Sequence, residues 1–348
     1  VPTLDKETRQ LLNKVRSLGG KGIPVYLEDV TLIRLCAVVA VDLNRRDLVE
    51  HLISDADLTN GYYGAPLDWF EQPLSTSTSL AEVFSTLREK IENFVTYFKC
   101  LCSLHLRRTK FERILERQAL PKMEQIVPRS LLEYGLRPSE TLASWLVWRK
   151  WLYDIDNRSA QETGYLFEPI LAAAIGGVPQ SAKTSLVRRR GDATKGRQVD
   201  CLDERIAYEF KMRVTIAASG QGRFGEELDF AEDCRASGFT PVLLVLDPTP
   251  SDRLDELTKA YEAVGGRAYI GDEAWDHIEA KAGDVMGLFV ERYVRTPIKA
   301  VDEAYGNTLL PISILSKDDE IVIDIGGQVF SVSRTGPKVE ADDDDDDE

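Results

Sequence analysis

Five consecutive aliphatic residues, Val242 to Leu246, stand between Pro241 and Asp247. A run this short and this apolar reads as a strand buried on both faces. Such a strand needs cover above and below, so helices must flank it. The neighbouring pattern supplies them. Helical signals run over about 224–236 and 251–264, and a short strand, 267–270, follows.

Upstream, residues 199–213 read Val-Asp-Cys-Leu-Asp-Glu-Arg-Ile-Ala-Tyr-Glu-Phe-Lys-Met-Arg. They form two short strands joined by a polar turn at Asp203 to Arg205. Tyr208, Phe210 and Met212 point one way; Glu209, Lys211 and Arg213 point the other, because strand side chains alternate. If the strands pair across the turn, Asp200 approaches Glu209. Two acids and a lysine then share one sheet face, a seat for a divalent cation and a water. Strands are expected at about 185–190, 198–202 and 205–217. A helix over 162–175, carrying Glu162 and Glu168 and ended by Gly176-Gly177, precedes them. The order α, three strands, α, strand, α, strand describes an α/β sandwich on a mixed sheet.

Everything before about residue 155 reads as helical: 4–18, 27–53 with a possible break near Asp42, and a long segment from Leu80. In that segment Leu80, Val83, Phe84, Leu87, Ile91, Phe94, Val95, Phe98 and Leu101 recur three and four apart. A basic continuation follows (Arg107, Arg108, Lys110, Arg113, Arg117), either a solvated helix end or a phosphate-contacting face. Ser139 opens another helix, whose Trp145, Trp148 and Trp151 read as core or interface. Beyond the sheet, about 275–294 is helical, and a hairpin, 321–325 and 329–332, turns at Gly326-Gly327. The expected divisions are a helical domain (1–158), an α/β core (159–300), a hairpin extension (301–335) and a disordered acidic tail (336–348).

The apolar run Leu32 to Val41 is interrupted by Arg34 and falls short of the ~20 residues of a membrane span. No charged-then-apolar leader precedes it. The five cysteines form no disulfide framework, so a reducing cytoplasm and no membrane partner are expected. The net charge of −15 argues against a polyanionic partner, but the charge is unevenly spread. Residues 181–225 carry ten Lys/Arg against five acids, while Glu340 and Asp342 to Glu348 concentrate negative charge at the end. That tail reads as a solubilising segment or as a mimic of DNA. Cys100, Cys102 and His105 lie close together but lack zinc-site spacing. Gly220-Gln-Gly222-Arg-Phe-Gly225 has the literal spacing of a dinucleotide loop. Glu226 and Glu227 would oppose a pyrophosphate at that helix start, so a glycine loop near the active site is preferred.

Gly164-Tyr-Leu-Phe-Glu168, Val199-Asp200 and Glu209-Phe210-Lys211 together resemble the PD-(D/E)xK nuclease superfamily, which contains most type II restriction endonucleases. The likeness covers about 160–250, with Val199 where that superfamily has a proline that is not a ligand. It implies a restriction-endonuclease-like α/β core, with its mixed sheet flanked by helices, behind an all-helical N-terminal domain. It implies a Mg²⁺-dependent type II enzyme that cuts double-stranded DNA at a specific site and leaves 5′-phosphate ends. Asp200, Glu209 and the Phe210 carbonyl would hold the metal, with Glu168 an accessory acid for which Glu162 competes. Lys211 would orient or deprotonate the attacking water. Arg188, Arg189, Arg190, Lys195, Arg197, Arg213, Gln221 and Arg223 would face DNA. A homodimer and a cognate methyltransferase are also implied. The alternatives are a nonspecific repair or phage-defence nuclease and a non-catalytic DNA-binding module on the same fold.

Overall fold

The computed structural model describes residues 5–18, 23–54, 58, 61–74, 77–212, 221–305 and 309–334. Helix α1 (Lys6–Val15) opens on Asp5, whose carboxylate accepts the Thr8 N–H at 2.7 Å. Helix α2 (Asp29–Asp42) is apolar nearly all round and sits in the interior. The long helix expected from Leu80 divides into α3 (Leu80–Lys90) and α4 (Phe94–Arg117). Ile91 is extended and Asn93 is left-handed at φ 57°, a conformation asparagine tolerates.

The helices expected at Ser139 and Glu162 are one element, α5 (Ser139–Ile175), 37 residues long. Its length is about 55 Å at the usual rise per residue. The boundary expected between residues 158 and 159 lies inside it. Pro169 has no N–H for the Tyr165 carbonyl, yet the helix continues to Gly176, left-handed at φ 88°. At Gly177 a Cβ would lie 2.4 Å from Cys201 Sγ, so only glycine lets the chain leave α5 this close to the sheet.

The sheet elements are β1 (Val178–Gln180), β2 (Arg188–Arg189), β3 (Asp192–Gly196), β4 (Val199–Asp203), β5 (Ile206–Lys211), β6 (Thr240–Val245) and β7 (Arg267–Ile270). The main sheet runs β1-β4-β5-β6-β7, antiparallel through β5 and parallel from β5 to β7. Strands β2 and β3 form a separate two-stranded ribbon. Of these, β1 and β3 had no alternating signal strong enough to be read in advance.

Strand β6 is buried on both faces, as its composition requires. Val242 and Leu244 join a core shared with the C-terminal end of α5 and the N-terminal helices. Leu243 and Val245 join a second core with α6 (Gln221–Ala236) and α7 (Asp252–Ala263), built on Phe230, Cys234, Leu257 and Tyr261. The first core continues without a break from Leu12 to Val294.

The helix expected over 275–294 is interrupted at Ala282-Gly283, giving α8 (Asp272–Lys281) and α9 (Asp284–Val290). A five-residue π turn (Glu291–Arg295) and α10 (Thr296–Ala304) follow. The expected hairpin is present as β9 (Glu320–Ile325) and β10 (Gln328–Ser333), with β8 (Ile312–Ser316) added as a third strand. The acidic tail lies outside the described residues. No described helix is long and apolar enough to cross a membrane.

Candidate active site

The β4–β5 hairpin positions the acids. Cys201 pairs with Tyr208, Leu202 with Ala207 and Asp203 with Ile206, and Glu204 in the turn takes φ 50°. Cys201 and Tyr208 face the α5 core, while Ala207 faces α6. Against β1 the register slips: Val178 opposes Leu202 and Gln180 opposes Val199. Two steps on β1 therefore span three on β4, which is a bulge. Val199 packs toward α6 and Cys201 toward α5, so the extra residue is Asp200. Bulges re-aim side chains, and this one sends Asp200 into the interior, where its Oδ2 accepts the Phe210 N–H at 2.8 Å.

Lys211 Nζ donates to Glu209 Oε1 at 2.9 Å and lies 3.1 Å from Oε1 of Glu227, on the second turn of α6. Asp200 titrates well above the ordinary carboxylate range, through burial first and then the charges of Glu209 and Glu168. Glu168 is also raised, by burial and then by Glu209, with Lys211 and Arg107 opposing. Burial alone would lower the Lys211 pKa, but Glu209 and Glu227 more than offset it and keep the ammonium charged. The three acids thus repel one another, and one lysine compensates them in part.

A cavity of about 220 Å³ lies between α5 and the end of β5, lined by Ala160, Thr163, Gly164, Glu168, Phe210 and Lys211. Ala160, Gly164 and Glu168 are four apart and share one helix face. A Cβ built at Gly164 meets nothing within 4 Å. Glycine inside a helix costs about 1 kcal/mol relative to alanine. Gly164→Ala should therefore raise stability by about that amount in urea melts. Gly164→Phe should fill the space and suppress cleavage while the melt stays cooperative; full activity would show that nothing enters there.

Glu162 and Glu168 lie in different surroundings. Glu162 is buried between Arg107, whose Nη1 donates to it at 2.7 Å, and Lys110. It clamps α4 to α5, and part of the basic continuation of α4 is used in this way. Only Glu168 reaches the cavity. Of the tryptophans, Trp151 is buried with its Nε1 on the Gln118 carbonyl, and Trp145 is half exposed between Arg137 and Arg149. His105 is buried against the Tyr62 hydroxyl, and burial pushes its pKa down to about 3.

The basic segment is only partly free. Arg188 and Lys195 are exposed, with Lys195 3.4 Å from Asp192. Arg189 lies 3.0 Å from Glu226, and Arg190 contacts Asp229, Glu232 and Asp233. Arg197 is buried, 3.4 Å from Asp233 and over the Phe230 ring. It joins the ribbon to α6 from inside, so it is not part of the exposed basic surface. Arg213 and the side chains of Gln221 and Arg223 lie outside the described residues. Helix α6 itself begins at Gln221, so much of the glycine motif forms its first turn. Sequence reasoning did not assign Glu227; its only signal was the Glu226-Glu227 pair at the helix start.

No group of three His, Cys, Asp or Glu side chains among the described residues is gathered closely enough to hold a metal. Magnesium commonly takes only one or two protein carboxylates, with waters and substrate completing its shell. Asp200 and Glu209 offer hard oxygen donors of that kind. Their mutual repulsion is what a cation would relieve, so the residues fit the ion.

The model of the ApaLI-like restriction endonucleases matches residues 69–295. A type II restriction enzyme, ApaLI of Acetobacter pasteurianus, is 48% identical over 364 aligned positions, covering 98% of this chain and 97% of that protein. The chain belongs to the ApaLI-like restriction endonuclease family. Its enzyme class is that of the type II site-specific deoxyribonucleases. No solved structure matches the chain. The family match begins within the N-terminal helices and ends after α9, so an ApaLI-like endonuclease spans both the helical part and the sheet.

Proposed function

We propose that this restriction endonuclease cuts double-stranded DNA through a PD-(D/E)xK-type centre made of Asp200, Glu209, Lys211 and Glu168, with Mg²⁺, leaving 5′-phosphate ends. The observation that carries the reading is the gathering of these four charged side chains at one end of β4 and β5, with Glu168 and Lys211 lining the cavity. Asp200, Glu209 and the Phe210 carbonyl would hold the metal, which when bound supplies charge neutralisation and an acidified water. The Phe210 N–H fixes the Asp200 carboxylate, leaving its other oxygen for the ion. Lys211 holds its ammonium at the cavity wall, where it orients water and stabilises charge developing on phosphate. Glu168 faces the same space from α5 and can accept a hydrogen bond from bound water.

Arg188, Arg189 and Lys195 on the β2–β3 ribbon would meet phosphates or guanine edges, with Arg190 held by its acids on α6. Arg213, Gln221 and Arg223 would extend that surface. A homodimer suits cutting both strands of a two-fold site. The surface beside α5 exposes Leu131, Leu132, Tyr134 and Leu136, with Leu132 91% exposed, and pairing would cover apolar area of that kind. A cognate methyltransferase would protect the host's own sites.

The test is plasmid DNA with Mg²⁺, comparing wild type with Asp200→Ala, Glu209→Ala and Lys211→Ala. Discrete fragments from wild type and none from the variants are expected. A smear would replace site-specific cutting with nonspecific nuclease action, and binding without cutting under any divalent metal would leave a binding module. Cutting by Asp200→Ala would overturn the site.

A further inference from the structure

We propose that Glu227 is the positioning residue for Lys211, holding the lysine at the cavity wall when Glu209 turns to the metal. The inference rests on the catalytic reading above. In the structure Lys211 Nζ is shared, 2.9 Å from Glu209 Oε1 and 3.1 Å from Glu227 Oε1. Glu209 cannot serve the lysine and a cation equally, since a carboxylate oxygen turned to a divalent ion is a weaker partner for an ammonium. A lysine held by Glu209 alone would then lose its anchor, or would stay and block the ion.

Glu227 removes that conflict. It comes from a different element, α6, so its position does not depend on what binds Glu209. Its neighbours on that helix are used elsewhere: Glu226 contacts Arg189, Asp229 and Glu232 contact Arg190, and Asp233 contacts Arg190 and Arg197. Glu227 instead faces β5. Its Oε2 is buried without a hydrogen-bond partner among the described residues. An unsatisfied buried carboxylate oxygen is costly. Here it offers a second acceptor for the ammonium, which can move fully onto Glu227 as Glu209 is released. The helix that carries the lysine's second partner also anchors the basic ribbon, so one element sets both the amine and the arginines.

The experiment compares Glu227→Gln, Lys211→Met, the double variant and Asp200→Asn in the full-length protein. Steady-state cleavage of plasmid with Mg²⁺ and binding of Mn²⁺ to the DNA-free protein, followed by electron paramagnetic resonance, are measured. Glu227→Gln should lower kcat about 10- to 100-fold with KM unchanged, the scale of a misplaced catalytic group. It should also weaken Mn²⁺ binding severalfold, because the lysine then rests on Glu209 alone. On the Lys211→Met background the same substitution should change Mn²⁺ binding less than about twofold, since non-additivity marks an effect passed through the partner. Wild-type kcat in Glu227→Gln would overturn the proposal. So would an undiminished loss of Mn²⁺ binding in the double variant, which would make Glu227 a ligand. If Glu227→Gln melts below wild type, Glu227→Ala, which buries no amide, is read in the same way. Wild-type cutting by Lys211→Met and Asp200→Asn would remove the catalytic reading itself, whatever Glu227 does.

Discussion

Asparagine at position 200 will abolish cleavage and raise the melting temperature of the metal-free protein at neutral pH. Both effects come from one carboxylate. On the proposed reading its loss removes one of the two acids that would hold the metal, and a bound metal contributes several kcal/mol to a phosphoryl transition state, so a fall of at least about a thousandfold is expected. Asparagine can still accept the Phe210 N–H through its carbonyl oxygen, so the β4 bulge keeps its internal contact. The stability gain follows from the raised pKa of Asp200 in the folded protein. Below the unfolded carboxyl value of 3.8 both states are protonated and the variant gains nothing. Above it the unfolded chain releases its proton first, so wild-type stability falls as pH rises toward the higher folded value, and stays reduced beyond it. The difference should open above about pH 4 and reach the order of 2 °C at neutral pH. Added Mg²⁺ should raise the wild-type melting temperature and leave Asp200→Asn nearly unchanged. Calorimetric melts across pH, with and without Mg²⁺, check this. A variant less stable than wild type at pH 7 would mean that Asp200 is held by contacts rather than opposed by its neighbours.

Asp233→Ala will have a large effect on stability outside the proposed catalytic cluster. Asp233 is buried, accepts the Arg190 backbone N–H at 2.8 Å, and faces the buried Arg197 guanidinium at 3.4 Å. Truncation leaves Arg197 charged and unpaired in the interior, which costs about 3–5 kcal/mol. It also loosens the β2–β3 ribbon, which then keeps only its more exposed contacts from Arg189 and Arg190 to α6, so DNA affinity should fall along with stability. Adding Arg197→Met should recover much of the stability, because an apolar replacement of a buried ion pair is often neutral. Urea melts of the two variants, with filter binding of duplex DNA, separate the effects. A loss below about 1 kcal/mol in Asp233→Ala would place Arg197 in contact with water.

The chemistry of the site was legible where backbone period carried it. Alternation from Tyr208 to Lys211 located the charged edge, and the polar turn implied that Asp200 approaches Glu209, whose charge it feels in the folded chain. The apolar run at β6 required helices on both sheet faces, and α5, α6 and α7 provide them. The bulge was not legible, because one extra residue changes no local pattern; it exists only against β1, a strand with almost no hydrophobic signal. Glu162 and Glu168 were indistinguishable in sequence, since their roles depend on which side of α5 meets Arg107 and Lys110. Composition also overstated the basic surface. Arg190 and Arg197 count as positive charge in the chain, but acids from α6, some forty residues later, already meet them.

The uninterrupted α5 helix makes angular phase a property of the enzyme. Trp151, seated on the Gln118 carbonyl, and Glu168, at the cavity, are two marks on one shaft. Each added residue turns a helix by about 100°. A single insertion between Trp151 and Glu162 would leave the shaft helical, yet it could not keep both marks aligned. Either the tryptophan leaves its seat or the Glu162 clamp and Glu168 rotate away from theirs. The spacing between these residues is therefore fixed like the teeth of a key, even where the intervening side chains face solvent.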